Sequence, residues 1–355
     1  MLVILSPAAG PQTEAAVTAR IAELGGQPRV IRAAAGTIIA VEAAHAHPRM
    51  ADAFAPWSEV ARVISTPKRY PLASRAFRAE DSVVRLGSWQ IGGGSVQVIA
   101  GPCAVESREQ LRATVAGLVG CGIGLVRAGA YKPRTSPYEF QGLGEAGLDL
   151  LAEVKAEFGV RVVTEVIGPE HVARVAAVAD ALQIGSRNAQ NYDLLQAVAG
   201  AGRPVLLKRG MAATVEEWLS ASEYLLLNGC QDVMLCERGI KTFEPGTRNT
   251  LDVGGLALAK RETHLPILVD PSHAAGRRDL VLPLALAGLA AGADGLLVEA
   301  HCRPDEALTD RAQQLAAADM PEFMRKVADM AALLGKTVGE KGGSYAASYQ
   351  PRKRG

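Results

Sequence analysis

The chain has 355 residues, of which 38 are Lys or Arg and 37 Asp or Glu, for a formal net charge of +1. So even a balance supplies no long-range field for nucleic acid or an anionic membrane, and any anion has to be met by local basic clusters. With 48% hydrophobic residues, the chain can bury one large core and a second, smaller one.

The start, MLVILSPAAG, is apolar for only five positions and has no basic lead, so it does not read as a secretory signal. LVILS is expected as a strand. A helix follows from about Thr13 to Leu24, closed by Gly25-Gly26. PRVIRA and GTIIAVE read as two more strands, RMADAFA as a short helix and EVARVIS as a last strand. This β-α-β-β-α-β order is the split βαβ of ferredoxin-like units, a kind of domain that binds amino acids or pairs with its own copies. The AHAHP stretch at 44–48 falls in a turn-like segment and reads as a solvated loop. TPKRYPLASRAFRAED is polar, carries two prolines and is read as a linker; SVVRLGSWQIGGG then reads as a hairpin turning at Gly87-Ser88.

From about Val96 the rhythm changes. Eight short apolar runs (VQVIAG, GLVRAG, RVVTEV, ALQIGS, PVLLKR, DVMLCE, PILVD and GLLVEA) alternate with helical patterns such as REQLRATVAGLVG and AGLDLLAEVKAEFG. Strand–helix alternation argues for parallel sheet, and eight units predict a (β/α)8 TIM barrel. A doubly wound sheet is the alternative, but no Gly-rich dinucleotide turn follows the first strand. The expected division is a ferredoxin-like domain at 1–66, a linker and barrel-capping hairpin at 67–95, the barrel at 96–338 and a flexible tail at 339–355. No run reaches the roughly 18 uninterrupted apolar residues of a spanning helix. The nearest, LVLPLALAGLAAGADGLLVEA, is broken by Gly292, Asp294 and Glu299, so a cytoplasmic protein is expected.

Barrels build their sites at the carboxyl ends of the strands. Read that way, the strand ends deliver Cys103; Arg127 with Lys132 and Arg134; Glu165; Arg187; Lys208 and Arg209; Glu237 and Arg238; Asp270 and His273; and Glu299 and His301, with Asp310 soon after. Lys and Arg are seldom buried unpaired. A mouth lined by Arg127, Lys132, Arg134, Arg187, Lys208 and Arg238 therefore predicts a polyanionic substrate or two phosphorylated ones, since guanidinium forks suit phosphate and carboxylate. Cys103, His273, Glu299 and Asp310 come from strands one, seven and eight and the loop after eight, which are neighbours once a barrel closes. Thiol, imidazole and two carboxylates form a mixed donor set that suits Mn, Fe, Co or Zn. Taken alone, Cys103 also reads as a packed small hydrophobe, a nucleophile or half of a disulfide. The five cysteines (103, 121, 230, 236 and 302) are odd in number and lack zinc-finger spacing, which argues against a disulfide framework. Cys121 and Cys230 read as packing or surface residues, Cys236 as a core residue, and His264 as a helix-end residue. Cys302 falls close to Glu299, where it could act as an oxidation partner for Cys103.

AGPCAVES, RAGAYKPRTSPYEFQGLG, QIGSRNAQN, LLKRG, CERG, FEPGTRNTLD and LVDPSHAAGRRD together resemble the class I 3-deoxy-D-arabino-heptulosonate 7-phosphate (DAHP) synthases, in the branch with an ACT-like, ferredoxin-like domain ahead of the barrel. The resemblance runs from the N-terminus to about residue 335. It implies condensation of phosphoenolpyruvate with erythrose 4-phosphate, release of phosphate, and a place at the first step towards chorismate and the aromatic amino acids. By matching position, it implies that Cys103, His273, Glu299 and Asp310 are the ligands of a divalent metal ion, which acts as a Lewis acid on the aldehyde. Arg127, Lys132, Arg187, Lys208 and Arg238, with Glu165, take the places that hold phosphoenolpyruvate. Arg134 and Thr135 take those that hold the aldose phosphate, and Lys132 is the residue for proton delivery. Arg311 stands where the family carries a small residue after the ligand Asp. The resemblance also implies a homotetramer and feedback by tyrosine or phenylalanine at the N-terminal domain.

Two alternatives remain open. The same barrel serves 3-deoxy-D-manno-octulosonate 8-phosphate synthases, which take arabinose 5-phosphate; there an Asn is expected in place of the Pro-Arg of KPRTS. A non-catalytic amino-acid sensor on a degenerate barrel is the other, against which the cations and the donor set argue.

Overall fold

β1 (Leu2–Leu5), α1 (Pro11–Glu23), β2 (Pro28–Ala33), β3 (Gly36–Val41), α2 (Pro48–Asp52) and β4 (Val60–Ile64) appear in the expected order. Their four strands form an antiparallel sheet in the order β2-β3-β1-β4, the arrangement of a split βαβ unit. Pro11 opens α1, where its missing N–H has no partner to lose. Val17 and Ile21, one turn apart, press onto the sheet with Val3, Ile39 and Phe54. The computed structural model describes residues 1–33, 36–41, 48–134 and 136–339. His45 and His47 of AHAHP, Thr135 and the tail from 340 onward lie outside the described residues.

The segment read as a polar linker is pinned to the barrel. Tyr70, Leu72 and Ala73 are buried. The backbone N–H groups of Leu72 and Ala73 donate to the Glu223 carboxylate at 2.8 and 3.0 Å. The Ala73 carbonyl accepts from Thr263. His264, two residues beyond its helix, sits between Ser82 Oγ (2.7 Å) and the Leu72 carbonyl (2.8 Å). Burial pushes Glu223 up to about 7, although both backbone donors oppose the shift. The small sheet shares this anchor: Ile38 and Ile64 join the apolar cluster that contains Tyr70 and Leu72, and the Arg62 guanidinium lies 4.9 Å from the centre of the Phe77 ring.

A hairpin, β5 (Val84–Leu86) and β6 (Trp89–Ile91), turns at Gly87-Ser88 as expected. The eight predicted strands follow: β7 (Ser95–Gly101), β8 (Leu125–Arg127), β9 (Arg161–Glu165), β10 (Ala181–Ile184), β11 (Val205–Lys208), β12 (Val233–Glu237), β13 (Ile267–Val269) and β14 (Gly295–His301). All pair in parallel, and β14 closes on β7 with Glu299 opposite Gly101, giving the eight-stranded barrel. Helices α3 (Arg108–Val119), α4 (Glu145–Phe158), α5 (Val172–Val178), α6 (Tyr192–Ala199), α7 (Val215–Leu227), α8 (Val253–Glu262), α9 (Pro271–Ala275), α10 (Val281–Ala290) and α11 (Met320–Leu333) surround it. Two short strands, β15 (Leu315–Ala316) and β16 (Thr337–Val338), extend β14 and β7.

Alternate residues of each strand serve two cores. Val98, Val126, Val162, Leu207, Leu235 and Leu296 face the helices. Ile99, Leu125, Val163, Leu206, Leu268 and Leu297 fill the interior. Each such residue, fully buried, contributes roughly 1.5–3 kcal/mol of transfer free energy. Val84, Leu86 and Ile91 of the hairpin join the interior cluster and plug the barrel at the amino ends of its strands. Among the described residues no helix is long and apolar enough to cross a membrane.

Candidate active site

The β7 tip shows how the backbone delivers its functional group. Gly101 has φ +154°, and a Cβ there would lie 2.0 Å from the Arg127 carbonyl oxygen, so only glycine lets β7 run this close to β8. Past Pro102 the chain turns inward and buries Cys103 completely. Its N–H donates to Gln314 Oε1 at 3.1 Å, and its Sγ lies 3.4 Å from Asp310 Oδ2. Burial, then Glu299, push the Cys103 thiol up to about 12, against the pull of Lys132 and Arg127.

Asp270 at the end of β13 does three things. Its Oδ1 caps the short helix α9 through the His273 N–H (2.9 Å), while its Oδ2 lies 2.7 Å from His273 Nδ1 and 2.5 Å from Lys208 Nζ. His273 is thereby turned so that Nε2 faces Glu299 Oε1 (3.5 Å) and Asp310 Oδ2 (3.6 Å). Burial lowers the His273 pKa despite Asp270, which favours the neutral ring. The Cys103, Glu299 and Asp310 donor atoms lie within 4.8 Å of one another. Asp310 is the one described non-glycine residue with positive φ, at 47°. Such backbone persists only where the surroundings hold it, and functional sites are where it collects. One sulfur, one nitrogen and two carboxylates thus converge as a donor set able to hold a divalent metal ion.

Above this set opens a cavity of about 520 Å³. Arg127, Lys132, Arg134, Arg187, Lys208 and Arg238, which the strand ends were expected to deliver, all line it, as do Glu165, His273 and Asp310. Arg127 Nη1 donates to Glu299 Oε1 at 2.5 Å, and Lys132 Nζ to the Cys103 carbonyl at 3.1 Å. Burial opposes the Lys132 charge, but Cys103, Glu165 and Glu299 raise its pKa overall. At the rim Arg134 donates to Glu139 at 2.8 Å. Glu165 accepts from Gln183 at 3.3 Å, and a Cβ on Gly185 would lie 2.0 Å from its carboxylate, so glycine there leaves it room. Eight lining residues are Lys or Arg against three carboxylates. Burial lowers the pKa of Arg238 against the pull of Asp270, and the neighbouring Arg248 charge adds to the lowering.

Arg209, Glu237 and His301 belong neither to the cavity lining nor to the donor set beneath it. Arg209 and Glu237 pair with each other at 2.9 Å, and Arg209 also holds Asp252 at 2.8 Å, because the period-2 alternation that points Lys208 and Arg238 inward points these outward. His301 lies 3.5 Å from Glu106 and bonds the Arg303 N–H through Nδ1. Cys302 neighbours Gln110 and His301, and all five cysteines are free. Reading only strand tips overlooked Arg248, Asn249 and Lys241, which also line the cavity. They come from the loop between β12 and α8, folded back by paired Ile240–Thr250 hydrogen bonds and pinned by the Arg248 N–H on the Ala275 carbonyl.

The chain matches the model of the DAHP synthetase I family over residues 76–336. It is 48% identical over 289 residues to the phospho-2-dehydro-3-deoxyheptonate aldolase of Thermotoga maritima, covering 81% of this chain and 86% of that one. A 2-dehydro-3-deoxyphosphooctonate aldolase from an Azoarcus species is more distant, 36% identical over 61% of this chain and 83% of its own. The crystal structure of the Thermotoga aldolase superposes with a TM-score of 0.76 at 43% identity, over 95% of this chain and 99% of that one. A truncated form of the Thermotoga 3-deoxy-D-arabino-heptulosonate 7-phosphate synthase superposes at 0.72 with 45% identity, over 76% of this chain and all of that one.

Proposed function

Since the chain belongs to the DAHP synthetase I family, we propose how its own residues carry out that family's condensation of phosphoenolpyruvate with erythrose 4-phosphate. The enzyme is a transferase of aromatic amino acid biosynthesis that joins the two substrates through a carbon–carbon bond and releases phosphate. The observation that carries the reading is the cation-lined cavity set directly above a convergent thiol, imidazole and carboxylate pair.

Arg127, Lys132, Arg187, Lys208 and Arg238 hold phosphoenolpyruvate, with Glu165 beside them. Arg134, at the rim, and Thr135 hold the phosphate of the aldose. These cations neutralise two polyanions that would otherwise repel and fix their mutual geometry. Cys103, His273, Glu299 and Asp310 hold a divalent ion of the Mn, Fe, Co or Zn kind, and their donor atoms already gather without any change of backbone. When bound, such an ion supplies a Lewis acid for an aldehyde oxygen. Asp270 keeps the His273 ring oriented, and Lys132, buried and protonated beside the Cys103 carbonyl, holds the proton available to the reacting oxygens. C3 of phosphoenolpyruvate adds to the aldehyde carbon, water adds at C2, and the hemiketal phosphate loses inorganic phosphate by C–O cleavage.

The N-terminal sheet and helices, residues 1–66, form the regulatory domain, a tyrosine or phenylalanine binds there, and the assembly is a homotetramer. One assay tests both the acceptor and the effector: phosphoenolpyruvate consumption with erythrose 4-phosphate or arabinose 5-phosphate, each with and without tyrosine or phenylalanine. Erythrose 4-phosphate is expected to turn over faster; faster turnover of the five-carbon sugar would refute this acceptor. A chain starting at residue 67 keeps the clasped segment on the barrel, so it is expected to stay active and lose inhibition. Full inhibition of that shortened chain would place the effector elsewhere.

A further inference from the structure

Behind the proposed metal ligands lies a second set of polar contacts. Gln313, 2% exposed, donates through Nε2 to Glu299 Oε2 at 2.7 Å. Glu299 Oε1 is the oxygen that faces His273 Nε2 and Arg127, so Gln313 occupies the other oxygen and sets the rotation of the carboxylate. Gln313 Oε1 in turn accepts from Arg248 Nη1 at 3.0 Å, and the same Nη1 lies 3.2 Å from Asp310 Oδ1. That leaves Asp310 Oδ2 directed at Cys103 Sγ and His273 Nε2. Gln314, the next residue, accepts the Cys103 N–H and donates to the Thr309 carbonyl at 2.8 Å. The loop that carries Asp310 in its left-handed conformation is therefore tied to the strand ends that carry Cys103 and Glu299.

We propose that Gln313 and Arg248 are positioning residues that brace Glu299 and Asp310 in the geometry a divalent cation requires. The inference rests on the metal reading above. Arg248 reaches both carboxylates, one directly and one through Gln313, so a single guanidinium couples two ligands that lie 11 residues apart in sequence. Its role lies in the orientation of the oxygens and not in their charge. A carboxylate left free to rotate offers the same charge but loses pre-organisation, and partners of this kind are worth roughly ten- to a hundredfold in metal affinity.

The test is titration of the purified full chain with Mn²⁺ alone and Zn²⁺ alone, without substrates, by calorimetry or equilibrium dialysis, alongside thermal unfolding of the metal-free protein. Gln313→Leu keeps the volume and removes both hydrogen bonds. It is expected to weaken metal binding roughly ten- to a hundredfold while KM for phosphoenolpyruvate stays within about twofold. Arg248→Met is expected to weaken metal binding in the same direction, and it decides the matter if Gln313→Leu fails to fold. A folded variant that binds metal within twofold of wild type, with only its metal-free melting temperature lowered, would show a merely structural role and overturn the brace alone. A wild-type chain that binds neither ion would overturn the metal reading and the brace with it.

Discussion

Cys103→Ser is expected to fold, to bind a divalent ion roughly a hundredfold or more weakly than wild type, and to lose about two to three orders of magnitude of turnover. The fold survives because the change is nearly isosteric and because the Cys103 N–H keeps its bond to Gln314 and its carbonyl keeps Lys132. What is lost is the soft donor. The thiol sits high in pKa beside Glu299 and Asp310, so the free protein keeps it protonated, and binding an ion there releases that proton. A serine hydroxyl is far harder to deprotonate and prefers harder cations. Metal titration together with initial rates, before and after EDTA treatment of wild type, checks the point. Normal turnover by the metal-loaded Ser variant would return Cys103 to the role of a packed hydrophobe, and full activity after EDTA would remove the metal from the reaction.

Lys132→Met is expected to cost roughly three orders of magnitude in kcat/KM, combining lost proton delivery with lost charge stabilisation. Lys132 is 7% exposed, its ammonium is held by the Cys103 carbonyl, and Glu165 and Glu299 supply the negative charge that keeps it protonated in spite of burial. Methionine fills the space without the charge, so the loss reads on chemistry and not on packing. Lys132→Arg separates the two contributions: it keeps a cation for phosphoenolpyruvate and is expected to restore KM while kcat stays low. Steady-state kinetics decide, and a Met variant within tenfold of wild type would rule out Lys132 as the proton source.

The barrel was legible because parallel strands buried on both faces read as short continuous apolar runs, and all eight of them, from VQVIAG to GLLVEA, fold as strands. The same logic placed Cys103, Lys208, Arg238 and Glu299 at strand tips. It erred where neighbours in sequence face opposite ways. Lys208 lines the cavity while Arg209 turns to Glu237 and Asp252, and a run of polar residues at a tip carries no mark of which one points inward. Residues brought in by folded-back loops were out of reach for a different reason. Arg248, Asn249, Gln313 and Gln314 depend on loop hydrogen bonds, such as Ile240 to Thr250, that leave no periodic trace. The clasp on the linker escaped because Leu72 and Glu223 are 151 positions apart and neither signals the other.

The hairpin plug of Val84, Leu86 and Ile91 makes the barrel a blind well. Nothing can pass through it, so every molecule enters and departs by the same mouth. Arg127, Lys132 and Lys208 are nearly inaccessible at its depth, whereas Arg134 shares the rim with half-exposed Glu139. A ligand seated low is therefore covered by one seated high. With the seating proposed above, phosphoenolpyruvate is expected to arrive before the aldose, and an unreactive analogue of the aldose to inhibit uncompetitively against phosphoenolpyruvate; a competitive pattern would mean the two do not stack. A dead end at the floor turns a random encounter of two anions into a queue.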